Sequence, residues 1–324
     1  MYFTKNNDFH HGIMFHHFHD DKIHPKSQGS ITKDDFYKLI KFIGKKNILS
    51  ANDYLEKFRK NKLKKNEVCF TFDDAIKGQI DVALPILEEF EIKSFFFVYT
   101  SIFEGRPDNL ELFRYFRTNC FRSIDEFYNE FNKFIEEKNL EKFYKQQSNI
   151  IQLKRERHPS YSLEDIKFRL VRDILLTKSE YEKVIFDMMN EKNFSPESFH
   201  EKLYFNKEDL KNLDSLGHTI GLHSHDHHTL IEKLPYNEQK EQYKKCVYSI
   251  SNILGKPVKN INTMSHPCGS YNQDTLEILK DLGIELGFKQ MMFIEPEKGM
   301  KKINNSSLEI ARVSHSLVMK TINK

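Results

Sequence analysis

Two imidazoles three residues apart, His223 and His227, and two adjacent carboxylates, Asp73 and Asp74, are the groups in this chain best suited to chemistry. Neutral imidazole is a common ligand for a divalent metal, and His-x3-His is a usual ligand spacing. The pair lies in Gly221-Leu222-His223-Ser224-His225-Asp226-His227-His228, which is too polar and too rich in His to be a core strand. A solvated His-rich loop is the plain alternative. The carboxylates end an apolar run, Val68-Cys69-Phe70-Thr71-Phe72. Neighbouring Asp side chains point in different directions, so one can hold a metal while the other stays free as a base. The alternative is that Asp74 merely caps the next helix. A third candidate is His266-Pro267-Cys268-Gly269-Ser270-Tyr271-Asn272. Its Pro and Gly fix a tight loop whose N–H groups point outward and can hold an oxyanion; an ordinary turn is the alternative.

All three groups must be carried by strand ends. Asn206 to Leu213 reads as a capped helix, Gly217 as its stop, and His218–Leu222 as a short strand that delivers His223. Val68–Asp73 reads as a buried strand, followed by a helix over Gly78–Phe90 and another strand over Ile92–Tyr99. Gly12–His16 is an earlier strand ending in His16, His17 and His19. A helix starts at Thr32, with Phe36, Leu39, Ile40 and Ile43 as its apolar face. Residues 47–50 form a strand or turn, and a further helix begins at Asn52. After the His-rich loop come a helix capped by Asn237, a strand over 260–265, a helix over 274–282, and strands over 285–288 and 308–313. Strand, helix and strand alternate, so the class is α/β with a mostly parallel sheet or barrel, whose ligands gather where strands end.

The alternation stops between residues 104 and 205, a helical and heavily charged block. Phe127, Phe131 and Phe134 repeat at helical spacing, as do Ile166, Leu170, Ile174 and Leu175, and Ser162 and Thr177 open capping boxes. The Phe stripe reads as helix packing. The block is a helical insertion that covers the site, binds part of the substrate or makes a contact between copies in a homo-oligomer. The division is 1–103 with 206–324 for the barrel and 104–205 for the insertion.

Composition sets the outer bounds. A hydrophobic fraction of 39%, with 28 Phe, builds a full core. A net charge of +3 gives no strong field for nucleic acid or an anionic membrane. No apolar run is long enough to span a bilayer. Met1–Asp8 shows no signal pattern, and Cys69, Cys120, Cys246 and Cys268 have neither redox nor zinc-ribbon spacing, so a reduced, cytoplasmic protein is expected.

In order, Thr71-Phe72-Asp73-Asp74, His223-Ser224-His225-Asp226-His227 and His266-Pro267-Cys268-Gly269-Ser270-Tyr271 resemble the first three motifs of the polysaccharide deacetylases, the NodB-homology enzymes of carbohydrate esterase family 4. Met14-Phe15-His16 is similar to the first barrel strand of many members. The resemblance spans roughly 10–103 and 206–316. It implies a distorted (β/α)7 barrel and metal-dependent removal of an acyl group, N-acetyl foremost, from a sugar or glycan. It implies Asp74, His223 and His227 as ligands of Zn²⁺ or another divalent transition metal, Asp73 as base, and His315 as general acid, with His266 and His16 as alternatives. His16, Pro267, Cys268, Gly269 and Tyr271 would line the substrate. Three departures stand out: Ala75 replaces the usual Gly, Cys268 the usual aromatic, and Ser265 the Arg that neutralises and orients the base. The competing readings are a carbohydrate-binding barrel that has lost catalysis and a deformylase of lipid-linked amino sugars.

Overall fold

The computed structural model describes residues 9–20, 22–157, 161–196 and 199–323, so the stretch Met1–Asp8 read above lies outside the described residues. The chain divides into two compact units, one over 109–200 and one over 2–108 with 201–324.

The larger unit is built on seven parallel strands: β1 (His11–Phe15), β2 (Val68–Asp73), β3 (Phe95–Val98), β4 (Thr219–Leu222), β5 (Thr263–Ser265), β6 (Leu286–Phe288) and β7 (Arg312–Ser314). Their order is β6-β5-β4-β3-β2-β1-β7. Ile310, just ahead of β7, pairs in parallel with Phe288 of β6, and the Ile310 N–H donates to Gly287 O at 2.9 Å. One short segment therefore joins both edges and nearly closes the sheet into a (β/α)7 barrel.

Strand periodicity sorts the side chains into two layers. Phe70, Phe72, Phe96, Val98, Ile13, Phe15 and Val313 point outward into a core shared with Phe36, Leu39 and Ile40 of the helix Lys33–Ile43. Cys69, Phe95, Phe97, Leu286 and Phe288 fill the interior, where Tyr54 of the helix Ala51–Arg59 meets Phe95 and Phe288. The interior is tight: a Cβ on Gly221 would lie 2.5 Å from Thr263 O. Parity then puts Thr71 and Asp73 of β2 on the inner line with Cys69, at the carboxyl end where ligands gather.

Sequence periodicity placed the elements well and their ends less well. Thr32 and Asn206 make the expected capping boxes. Asn237 does not cap its helix, which starts at Tyr236 behind Pro235. The helix expected from Gly78 opens instead with a π turn, Gln79–Ala83, before Leu84–Glu89.

In the smaller unit, Phe127, Phe131, Phe168, Tyr181 and Ile185 form a buried core. Thr177 makes a full capping box, but Ser162 makes half of one: the Asp165 carboxylate takes Tyr128 Oη and Arg169 Nε instead. Ile174 is exposed, contrary to its helical spacing, because a π turn over Val171–Leu175 shifts the phase and buries Val171 and Leu176.

His218, at the foot of β4, is buried and accepts the Ser94 N–H on Nδ1 at 3.0 Å; burial and Lys93 push its pKa down to about 4. Between pH 6.5 and 4 the unfolded chain therefore binds a proton that the folded chain refuses. Stability falls as pH falls, by about 1.4 kcal/mol per pH unit from this residue. Urea unfolding at pH 7, 6 and 5 should show His218→Asn, which keeps an acceptor for Ser94, losing less stability per unit than the parent. Parallel curves would contradict this.

Candidate active site

The three sequence motifs follow the carboxyl ends of β2, β4 and β5, and the first two converge. Asp74 is the first residue past β2, His223 the first past β4, and His227 follows on the same loop. Their ligand atoms all lie within 4.8 Å of one another, and all three residues are buried. Asp74 Oδ1 is 3.0 Å from His223 Nε2 and 3.2 Å from His227 Nε2.

This cluster fits a metal on its own electronics. His223 Nδ1 lies 2.9 Å from the Ser265 carbonyl, which can only accept, so Nδ1 carries a proton and Nε2 is the nitrogen turned toward Asp74, free to act as a ligand. Asp74 Oδ1 is buried and makes no hydrogen bond. Two ring nitrogens and a carboxylate oxygen thus converge on one point, an arrangement that a cation or shared protons stabilise. Burial alone would push the Asp74 carboxyl up. The imidazoles of His227, His16 and His223 outweigh it and hold the group well below its usual value. Separations of 3.0 and 3.2 Å approach the edge of a tetrahedron built on the ~2.0–2.1 Å bonds of zinc.

The loops are held firmly. Ser224 Oγ accepts the His227 N–H at 3.2 Å, and Gln242 of the helix Tyr236–Leu254 bonds both the backbone and the carboxylate of Asp226 at 2.8 Å. Among the described residues nine non-glycines have positive φ, and Asp74, Ala75, Ser224, His227 and Cys268 are five of them. Such backbone is strained by ~1–3 kcal/mol per residue and persists where surrounding contacts enforce it. Ala75, at φ 55°, shows why glycine is usual there. Gln79, in the π turn, donates to both Asp73 O (2.6 Å) and His16 O (3.0 Å), tying the ends of β1 and β2 together. Neither Gln79 nor the turn was expected from sequence.

Asp73 lies beside the cluster. His16 faces both carboxylates, with Nε2 3.9 Å from Asp73 Oδ2 and 3.7 Å from Asp74 Oδ2. The Asp73 carboxylate has an unexpected partner. Arg312 of β7, itself 1% exposed, donates Nη1 to Oδ1 at 2.8 Å and pairs Nη2 with Oδ2 at 2.7 Å. Ser265 Oγ also reaches Oδ1, at 3.1 Å, and is 2.7 Å from His223 Nδ1. Burial would raise the Asp73 carboxyl; Arg312 and His223 hold it below its usual value.

Other residues singled out in the sequence are placed elsewhere. His315 is not brought to the cluster. Its ring stacks on Phe15 in the outer layer, and its nitrogens face the Met14 and Gly29 carbonyls at 3.1 and 2.8 Å. Parity explains this: Arg312 points inward, so Val313 and His315 point out. Tyr271 is buried rather than exposed to substrate, stacked on His266 at 4.2 Å with its hydroxyl 3.2 Å from Glu309. His266 Nε2 lies 2.8 Å from Leu308 O, and burial pushes this imidazole down to about 3. The Gly269 N–H closes a turn on His266 O at 3.0 Å, so it is not turned outward, and Pro267 is buried. Cys268 is exposed at the tip.

The polysaccharide deacetylase family profile matches residues 176–287, from the end of the smaller unit through β6. No curated protein matches the chain. Solved structures do match in fold. The Streptococcus pyogenes deacetylase PplD, in complex with acetate, aligns with a TM-score of 0.55 at 15% identity, covering 96% of this chain and 96% of that one. IcaB from Ammonifex degensii aligns at 0.54 and 14%, covering 98% and 99%. A de-N-acetylase from Aggregatibacter actinomycetemcomitans gives 0.54 and 14%, covering 97% and 99%. Residues 176–287 are thus similar to the polysaccharide deacetylase profile, and the chain shares the barrel fold of these solved deacetylases.

Proposed function

We propose that this chain is a metal-dependent hydrolase that removes the N-acetyl group from a sugar in a glycan or glycan precursor. The observation that carries the reading is the convergence of Asp74, His223 and His227 beside a second, separately held carboxylate, Asp73. Two imidazoles and a carboxylate suit Zn²⁺, with other divalent transition metals next in fit. Bound there, the metal would polarise the acyl carbonyl and acidify water.

The remaining steps belong to side chains. Asp73 accepts a proton from the water that attacks the acyl carbon. As the C–N bond breaks, the leaving nitrogen takes up a proton and departs as the amine, with acetate as the other product. His16, the imidazole facing both carboxylates, is the group placed to give that proton, in place of His315. The Arg312–Asp73 pair also favours this reading over a barrel that binds glycan without catalysis, because the base keeps a counter-charge despite Ser265.

The test is product analysis. Purified protein loaded with one equivalent of zinc should release acetate from β-1,4-linked N-acetylglucosamine hexamers, and a chelator should abolish the release reversibly. Formate from an N-formyl amino sugar, with no acetate from the acetylated probe, would replace this reading with the deformylase. Binding of the hexamer with neither product would replace it with the binding barrel.

A further inference from the structure

An ionised carboxylate with 1% exposure needs a partner, and at position 265, where the family pattern has an arginine, this chain has Ser265. We propose that Arg312, from the strand that closes the barrel, is the positioning residue that orients Asp73, and that Ser265 now links Asp73 to His223. The inference rests on the deacylation reading above.

The geometry is specific. One hydrogen bond from Nη1 at 2.8 Å and an ion-pair contact from Nη2 at 2.7 Å hold both oxygens of the carboxylate against one guanidinium. The guanidinium is fixed in turn: Nη1 donates to Thr71 Oγ1 of β2 at 3.1 Å, and Nε to Lys289 O, just past β6, at 3.0 Å. β1 makes room with Gly12, where a Cβ would lie 3.3 Å from Arg312 Cγ. Arg312 is thus anchored to β2 and to the residue past β6, with its side chain passing over Gly12 of β1.

That anchoring decides which oxygen of Asp73 can act. Oδ1 is filled by Arg312 Nη1 and the Ser265 hydroxyl. Oδ2 has only the ion-pair contact with Nη2 and lies 3.9 Å from His16 Nε2, which is itself 3.7 Å from Asp74 Oδ2. The lone pair left for a proton therefore faces the metal-ligand cluster. Arginine does not give up its own proton, so Asp73 draws one only from what enters the site. Ser265 adds the second link. Its hydroxyl spans Asp73 Oδ1 and His223 Nδ1, and its carbonyl fixes the His223 tautomer, so base and ligand are set by one residue.

The test uses zinc-loaded full chain, the N-acetylglucosamine hexamer and 4-nitrophenyl acetate as probes, and three variants. R312M should lower kcat by about 10²–10³-fold with KM and zinc stoichiometry unchanged, since the loss is of an oriented base. R312K, a charge without the fork, should recover roughly a tenth of the lost rate. R312S/S265R should exceed R312S at least ~tenfold, by returning a guanidinium to Asp73 from β5. A folded, zinc-loaded R312M with kcat within about threefold of the parent overturns the proposal. So does a loss that falls on KM or zinc content alone. If R312M does not fold, R312K decides, and unchanged kcat in that variant overturns it. A parent chain inactive on both probes instead removes the deacylation reading itself, and this inference with it.

Discussion

His227→Ala should strip the metal from the protein. Elemental analysis should read about one zinc per parent chain and close to none in the variant, and acetate release should fall with it. The expected size follows from the ligand count. Losing only an outer-shell partner already weakens metal binding ~10–100-fold, so losing one of three protein ligands should weaken it by more than ~100-fold. Zinc should also raise the parent's Tm by mass action, because it binds the folded cluster, and should leave the variant's Tm unmoved. A variant that kept full zinc and full activity would mean that Asp74, His223 and His227 are not the centre.

That cluster was legible in the sequence because its signals are local. A His-x3-His spacing and an Asp-Asp pair each sit just past an apolar strand, and parallel barrels collect strand ends on one face. Arg312 was not legible, because what gives it meaning lies in another strand: 239 residues separate it from Asp73. A faint signal existed. An arginine inside Leu308-Glu309-Ile310-Ala311-Arg312-Val313 is out of place in an apolar strand unless it meets a buried acid. The missing counter-charge at Ser265 was the other half of that clue. His315 failed as an expectation through parity, which cannot be counted until the register of β7 with β1 is known. Tyr271 failed because an aromatic near a site loop reads equally well as rim or as packing; here Lys298 covers its outer ring face at 4.1 Å.

Asp73→Asn should lower kcat by about 10²–10⁴-fold while zinc stays bound, because it removes a proton acceptor and no ligand. It should also cost stability. The amide can present only one oxygen to Arg312 and turns N–H groups toward the other guanidinium N–H, leaving a buried cation half-paired. Breaking a buried pair in this way costs roughly 3–5 kcal/mol. Activity per folded molecule, measured beside urea unfolding, separates the two effects. Undiminished turnover in the folded fraction would remove Asp73 from the mechanism.

The barrel seam has a consequence for how the enzyme comes into being. Asp74, His223 and His227 are all synthesised before β6 and β7, whereas the partner of Asp73 arrives only with the closing strand. At about 5–20 residues per second, Arg312 leaves the ribosome roughly 10–50 s after Asp73. A nascent chain can therefore gather the residues of a metal cluster while its base still lacks a counter-charge and an orientation. On the proposed mechanism a chain that ends before the closing strand would hold the candidate ligands Asp74, His223 and His227 without the partner of Asp73.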